Sequence, residues 1–239
     1  MKKILLSTVH HPDVSLKNLE YVCEQLQIIF DEVYLTISNV TSSKIKSSLS
    51  EKSFHCLTIA PNGAADARRK VLKFALKNAS EKTNYFYCDF DKVMVALLNR
   101  NLEFKNYISN LNLNNEYRII GRNSKDFESY PDTWSETERI TNKVAAKIFK
   151  IDNVDLLAGC CAFDSNVGEV IAKNSTELLT DTEWPLICQD SHIMVNYDEV
   201  SFLPFNFQYN KGRNDYDWLG YIPRLKLALQ AFESFKRHM

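Results

Sequence analysis

The hydrophobic pattern of the first ninety residues alternates between two periods. Short apolar runs predict strands, and the stretches between them, with an apolar residue every three to four positions, predict helices. Ser15 is expected to cap the first helix through its hydroxyl. Strands that alternate with helices along a chain predict an α/β fold. The predicted strands cover residues 3–9, 33–37, 56–60 and 85–88, and the predicted helices cover 16–30, 45–49 and 64–79.

The second part of the chain continues this alternation with weaker patterns. Ser135 and Glu138 form a capping box that predicts a helix to about residue 149. A buried strand is expected over 155–163, and Gly159 inside it indicates a close approach by another group. The remaining predicted elements are helices over 93–98, near 107, over 164–174 and over 222–238, strands over 116–122 and 193–197, and a possible lid loop over 123–133.

Length and composition describe an ordinary globular chain. The 239 residues are 45% hydrophobic and 25% charged, which suffices for one sizeable α/β domain. No segment has the composition of a linker, so we expect a single domain over 1–239. The net charge of −1 provides no basic field, which argues against a nucleic-acid partner.

The N-terminal run and the cysteines both favour the cytoplasm. The first apolar run stops before His10, which is too short for a secretory signal, and no window approaches the roughly 18 apolar residues of a transmembrane helix. The six cysteines show no Cys-x-x-Cys pair, so reduced, buried thiols are the simplest interpretation. We therefore expect a cytoplasmic protein. The sequence predicts no oligomeric state.

The strand over 85–88 stops at two acids, Asp89 and Asp91, which precede Lys92. Ligands of open α/β sheets collect outside the carboxyl ends of the strands, so these acids lie where a ligand would bind. Two hard oxygen donors suit Mg²⁺ or Mn²⁺ shared with a diphosphate. The alternative is a solvated turn with a helix cap. The position after a strand, following three earlier strand-and-helix units, favours the metal site.

Two arginines, Arg68 and Arg69, lie in the first two turns of the helix predicted over 64–79. Positive side chains near a helix N-terminus are mildly unfavourable with the macrodipole. An anionic ligand that meets both the helix end and the guanidinium groups would account for them. A solvated helix face is an equally good explanation for either arginine alone.

Three residues of the second half are candidates for catalysis or metal binding. Glu183 stands beside Trp184 in an acidic helix start, which places a carboxylate next to a ring-sized surface of the kind that sugars meet. Capping alone also explains such acids. We take Glu183 as the candidate base for an acceptor hydroxyl, with Asp190 second. His192 is either a metal ligand or a surface residue, and the surface interpretation is favoured.

These features resemble the nucleotide-diphospho-sugar transferases of the GT-A fold, in particular their uncharacterised bacterial and archaeal members. The resemblance rests on the segment from Gly63 to Arg69 and on Tyr87-Cys88-Asp89-Phe90-Asp91-Lys92. It is strong over 1–125 and weak after residue 190. It implies a Rossmann-like mixed sheet flanked by helices, with a nucleotide-sugar-binding half over 1–125 and an acceptor-side half over 126–239.

The resemblance further implies a metal-dependent glycosyltransferase that uses a nucleotide-sugar donor and a carbohydrate or other small-molecule acceptor. Asp89 and Asp91 would hold Mn²⁺ or Mg²⁺ on the diphosphate, Asp91 most directly. The second half has no clear match to the third metal ligand of the family, which leaves His192 as the candidate. The residues implied in donor binding are Thr8, Gly63, Arg68, Arg69 and Asp89.

Two other functions remain open from the sequence. A sugar-phosphate nucleotidyltransferase shares the sheet but usually carries a glycine-rich loop after its first strand, where this chain has His10-His11-Pro12-Asp13. A GT-A-like protein that has lost turnover would act as a binding or interaction protein. The weak match after residue 190 keeps that possibility open.

Overall fold

The computed structural model describes residues 1–78, 82–210 and 217–238. In these residues seven strands form a single sheet, and helices cover both of its faces. The strands are β1 Lys2–Val9, β2 Glu32–Ser38, β3 His55–Ile59, β4 Thr83–Cys88, β5 Glu116–Arg122, β6 Cys160–Asp164 and β7 Met194–Val200.

The helices follow the strands in the order that the sequence predicts for the first half. A short 3-10 helix, Phe207–Asn210, precedes the last α-helix. The α-helices are α1 Leu16–Ile29, α2 Ser43–Ser50, α3 Ala64–Asn78, α4 Phe90–Asn99, α5 Asn101–Asn110, α6 Ser124–Glu128, α7 Asp132–Phe149, α8 Ser165–Asn174, α9 Thr180–Asp190 and α10 Trp218–Arg237.

The strand order across the sheet is β3-β2-β1-β4-β6-β5-β7. All neighbouring pairs are parallel except those of β6, which runs antiparallel between β4 and β5. The carboxyl ends of the six parallel strands therefore meet at one edge. The predicted α/β fold with a Rossmann-like mixed sheet is confirmed.

Two hydrophobic layers enclose the sheet, because successive residues of a strand face opposite sides. In β1, Leu5 and Val9 pack with α1, α4 and α5, whereas Ile4 and Leu6 pack with the helices of the opposite face. That opposite layer includes α3, α8 and α9 as well as parts of α7 and α10. The inner strands of the sheet are thus buried on both faces, whereas the edge strands β3 and β7 are partly exposed.

Helix α4 begins at Phe90, earlier than predicted, so Asp89 occupies its capping position and Asp91 its first turn. The predicted strand over 155–163 is only Cys160–Asp164, because Asp155 is bound to Arg122 and the backbone turns at Gly159. The predicted end of the helix over 64–79 reaches residue 79, which lies outside the described residues.

The second half contains two further differences from the predicted elements. Helix α7 begins at Asp132, so the predicted capping box lies inside the helix, where Glu138 accepts from Arg122 instead. Helix α10 begins at Trp218, because the side chain of Asp217 accepts from the amide of Leu219 and caps it there. The predicted loop over 123–133 includes the short helix α6.

None of the helices in the described parts of the chain is long and apolar enough to cross a membrane. All six cysteines are free thiols, and five of them are buried. This matches the interpretation of reduced, buried cysteines.

Candidate active site

A cleft of about 620 Å³ runs along the carboxyl edge of β1, β2, β3 and β4. Residues that follow β1, β2 and β3 line one end, and residues of α7 and α10 line the other. The first turns of α3, α4 and α9 lie between them. Open α/β sheets bind their ligands at this edge, and the volume falls within the roughly 300–1,000 Å³ of small-molecule sites.

Asp89 lines this cleft and is held by three side chains. The Nη2 atom of Arg68 lies 3.0 and 2.9 Å from its two carboxylate oxygens, and the Tyr87 hydroxyl donates to Oδ1 at 2.5 Å. The Nζ atom of Lys92 is 3.7 Å from Oδ2. Burial raises the pKa of Asp89, but the adjacent charges of Arg68 and Lys92 outweigh it and hold that pKa below its usual value.

Arg68 joins Asp89 to the second half of the chain. Its Nη1 atom donates to the Asp181 carboxylate and, at 3.0 Å, to the Thr180 hydroxyl, both in the first turn of α9. Burial opposes the charge of Arg68, yet Asp181 and Asp89 raise its pKa well above the ordinary value. The guanidinium group therefore fixes two carboxylates that come from different helices and both line the cleft.

Gly159 allows the cations around Asp89 to approach closely. Its φ is +64°, and a Cβ atom there would lie 2.5 Å from Oδ2 of Asp89 and 2.6 Å from Nζ of Lys92. Lys92 also donates to the carbonyl of Ala158. Burial lowers the pKa of Lys92, but Asp89 outweighs it, so that pKa is raised. The close approach predicted for Gly159 is thus observed, in the loop before β6.

Asp91 lies in the first turn of α4, lines the cleft and is half-buried. A carboxylate accepts about four hydrogen bonds or metal contacts, so Asp89 keeps coordinating capacity on Oδ2 besides the contacts it makes. Two carboxylates with hard oxygen donors at one strand end fit Mg²⁺ or Mn²⁺. Across the described residues, no cluster of three or more His, Cys, Asp or Glu side chains could hold a metal.

The end of the cleft beside β1, β2 and β3 includes one buried hydroxyl, that of Ser38, and two further lining residues that a ligand could meet. The Ser38 hydroxyl is buried, lines the cleft and has no hydrogen-bond partner among the described residues. Thr8 lines the same end, and its hydroxyl lies 3.2 Å from that of Tyr87. Gly63, with φ +98° and open space around its Cα, lines the cleft before α3. A ligand at this end would satisfy Ser38.

The opposite end of the cleft combines an aromatic ring with two charged side chains, those of Arg224 and Glu138, which the sequence did not predict as site residues. The guanidinium of Arg224 lies 3.0 Å from the ring centroid of Trp134, and one of its nitrogens lies 4.0 Å from Glu138. Burial raises the pKa of Glu138, although Arg122, which donates to it at 2.5 Å, opposes the shift. A ring, a cation and a carboxylate are groups that bind a polar small molecule.

No protein-family model and no curated protein matches the sequence. Among solved structures, the chain is similar to glucosyl-3-phosphoglycerate synthase from Mycobacterium tuberculosis in complex with Mn²⁺, UDP and phosphoglyceric acid. The TM-score is 0.58 at 7% identity, covering 99% of this chain and 78% of that chain. A second structure of that protein, with Mn²⁺, UDP-glucose and phosphoglyceric acid, gives 0.59 at 6% identity, covering 99% and 79%. The fold is of the GT-A type.

At these identities the likeness shows the GT-A fold alone. The 4-diphosphocytidyl-2C-methyl-D-erythritol synthase from Anaerococcus prevotii gives a TM-score of 0.48 at 14% identity, covering 86% of this chain and 91% of that chain.

Arg69 and Glu183, a predicted donor-binding residue and the predicted base, lie outside the residues that line the cleft. Glu183 is 2% exposed, and its carboxylate accepts from the Ser175 hydroxyl at 2.5 Å and from the amides of Thr176 and Glu177. Arg69 donates to the carbonyl of Glu177 at 2.5 Å. Both side chains therefore hold the connection between α8 and α9.

Asp190 and His192 lie far from the other candidates. Asp190 ends α9 and pairs with His238, whereas Asp181 begins that helix roughly 13 Å away at 1.5 Å per residue. His192 precedes β7, which runs parallel to β5, so it lies at the amino edge of the sheet. It cannot share a metal with Asp89 and Asp91 at the carboxyl edge. The structure therefore brings neither the predicted base Asp190 nor the predicted ligand His192 to the cleft.

Proposed function

We propose that this chain is a metal-dependent glycosyltransferase that moves a sugar from a nucleotide-diphosphate sugar to a carbohydrate or other small-molecule acceptor. The observation that carries the proposal is the pair Asp89 and Asp91 at the end of β4, in the middle of a cleft with a polar end and an aromatic end. A nucleoside, a diphosphate and an acceptor would occupy this cleft in that order. The Mn²⁺ and UDP-glucose complex of the similar M. tuberculosis enzyme supports the assignment.

Asp91 would hold the divalent cation, Mn²⁺ or Mg²⁺, with Oδ2 of Asp89 as a second donor. When bound, the metal supplies electrostatic stabilisation of the leaving nucleoside diphosphate. Lys92 lines the cleft beside both acids and adds a positive charge for the same phosphates. Thr8, Ser38 and Gly63 would contact the nucleoside at the other end.

Arg68 would act as a positioning residue. It holds Asp89 at the start of α4 and Asp181 at the start of α9 at the same time, which would fix a metal ligand relative to the acceptor side. Asp181 lines the cleft next to this contact, so it is the carboxylate that we propose near the reacting carbon, in place of Glu183. Its role would be to accept or orient the proton of the acceptor hydroxyl.

We also propose that the protein works in the cytoplasm without a nucleic-acid partner. Six free cysteines are typical of a reducing compartment, and a net charge of −1 provides no attraction for a polyanion.

The experiment that tests the function is a thermal-shift screen of nucleoside diphosphates and nucleotide sugars with and without Mn²⁺. A ligand that binds only the native state raises the melting temperature by mass action, by about 5–10 °C at about 100 times its Kd in a chain of this size. We expect one nucleotide to stabilise the protein in a metal-dependent way. The same screen on Asp91→Asn should lose the effect of the metal.

Asp66→Asn is the matched control, because Asp66 also lies in the first turn of a helix but outside the residues that line the cleft. It should keep the response of the native chain. The absence of stabilisation by every nucleotide, with or without metal, would overturn the proposed function. If a sugar nucleotide does stabilise the protein, release of its nucleoside diphosphate in the presence of the metal would report turnover.

One observation favours a second function, a GT-A-like protein that binds nucleotides without turnover. Asp89 is already neutralised by Arg68 and Lys92, and the described residues offer no third metal ligand beside Asp91. Metal-independent stabilisation by a nucleotide, unchanged in Asp91→Asn and without release of the diphosphate, would support this binding protein against the transferase.

A further inference from the structure

The last helix, α10, presents a row of large apolar side chains to solvent. Trp218, Ile222, Leu225, Leu229 and Phe232 are between 54% and 72% exposed. Their spacing of four and three residues places them on one face over about 21 Å of helix. Together they leave an apolar patch on the order of 500 Å², at the upper end of the ~300–600 Å² found on monomers. We call this row the apolar stripe.

Helix α7 lies beside the stripe and extends it. The two helices pack together, and the hydroxyl of Tyr221 on α10 donates to Glu136 on α7 at 2.6 Å. One and two turns beyond Glu136, Ile140 and Val144 are 64% and 42% exposed. The surface is therefore formed by two neighbouring helices.

The charges around the stripe are mainly positive. The exposed acids of the two helices are Asp132, Glu136 and Glu233, of which Glu136 accepts from the Tyr221 hydroxyl. The whole chain has a net charge of −1, so this excess is local. The exposed basic side chains of the two helices outnumber these acids: they are Arg139, Lys143, Lys147, Lys226, Lys236 and Arg237, the last paired with Glu177.

We infer that the stripe docks the protein on an anionic lipid surface. Trp, Phe and Leu side chains on one helix face, with lysines beside them, are the composition that inserts into the interface of a bilayer with negative headgroups. A second copy of the chain would bring two surfaces of the same sign together, which opposes self-association through this face. The charge therefore selects the membrane as the occupant.

Docking would also set the distance of the cleft from the bilayer. Arg224, Leu227 and Gln230 of α10 line the cleft and point away from the stripe, so one helix diameter of about 10 Å separates the two. This part of the inference rests on the proposed function. The docking itself does not depend on a donor or an acceptor.

The test is flotation of the full chain with vesicles of phosphatidylcholine, alone or mixed with phosphatidylserine. We expect binding to the mixed vesicles that weakens as salt increases. Leu225→Gln combined with Leu229→Gln should lower the partition coefficient at least about tenfold, since both apolar side chains insert. Neither residue lines the cleft.

Ile28→Gln combined with Leu102→Gln is the matched control, because these side chains are 62% and 67% exposed on helices of the opposite sheet face. It should float like the native chain. Failure of the native chain to float, or equal binding by both double variants, would overturn the inference. A different result would identify a second copy of the chain as the occupant. In that case the native chain would not float with vesicles but would form concentration-dependent dimers in analytical ultracentrifugation, and the Leu225→Gln and Leu229→Gln double variant would not. Nucleotide stabilisation of the stripe variant reports the proposed function separately.

Discussion

Arg68 is the buried cation of the site, and two half-buried carboxylates depend on its charge. It is 7% exposed and pairs with Asp89 and Asp181. Arg68→Ala would leave both acids without the guanidinium group. Removal of one partner from a buried ion pair costs about 3–5 kcal/mol, so we expect a loss of this size in the free energy of unfolding, measured with urea at neutral pH.

Lys70→Ala provides the comparison on the same helix. Lys70 pairs with Asp66 in a solvent-accessible pair four residues apart, and such pairs contribute about 0.3–0.5 kcal/mol. Equal losses in Arg68→Ala and Lys70→Ala would contradict the role assigned to the buried network.

Alanine variants of Gly159 and Gly63 distinguish the energetic cost of backbone strain from the cost of a steric clash. Both have positive φ, so alanine strains the backbone at either position by about 1–2 kcal/mol. Only at Gly159 would the new Cβ also strike Asp89 and Lys92, whereas no atom lies within 4 Å of a Cβ at Gly63. We expect Gly159→Ala to lose clearly more unfolding free energy than Gly63→Ala in urea. Similar losses would show that Asp89 and Lys92 move aside without cost.

At the residue scale, the sequence predicted the site residues whose place in the fold follows from a neighbouring element. Asp89 and Asp91 follow a buried strand directly, so the strand pattern alone places them at the edge that binds ligands. The partner of Arg68 on α9 is 113 residues away, and no local pattern distinguishes Asp181 from Glu183 two positions later. That choice is made by the direction of each side chain around the helix.

At the scale of the elements, the first four strands and their helices follow from periodicity, because each is a full run bounded by turn residues. The apolar run from residue 155 was different. Periodicity does not reveal that Asp155 accepts from the backbone and side chain of Arg122 at 2.9 and 2.7 Å. These bonds hold residues 155–159 as a loop, and the strand β6 is shortened to five residues.

The connection between α8 and α9 gives a prediction about Glu183. Its carboxylate accepts two backbone amides and the Ser175 hydroxyl, which in turn accepts from the indole of Trp184 at 3.0 Å. In Glu183→Gln one oxygen becomes a donor, so at least one buried amide or hydroxyl loses its acceptor. We expect a loss of about 2–3 kcal/mol in unfolding free energy, with nucleotide-induced stabilisation unchanged.

Asp181→Asn is the counterpart at the start of the same helix. It should reduce turnover if Asp181 serves the acceptor, whereas Glu183→Gln should retain turnover at temperatures where it is folded. Loss of turnover in a fully folded Glu183→Gln protein, with normal stability, would instead restore Glu183 as the base.

At the scale of the molecule, the pairing of β6 leads us to expect that the two halves of the chain are not separate folding units. It lies in the part of the chain over 126–239, yet it pairs with β4 and β5 of the part over 1–125. The first half alone would leave β4 and β5 apart, with a gap of one strand between them. The division at residue 125 is therefore a proposal about ligand binding, and we expect one cooperative unfolding unit.

All three tryptophans, at positions 134, 184 and 218, belong to the second half, which makes the cooperativity measurable. Tryptophan fluorescence follows that half, while far-UV circular dichroism follows the helices of both. The two urea transitions should coincide. Leu26→Ala on α1, a fully buried position of the first half, should cost about 2–5 kcal/mol and shift both transitions equally. A shift seen by dichroism alone would mean that the halves unfold independently, and that β6 does not couple them.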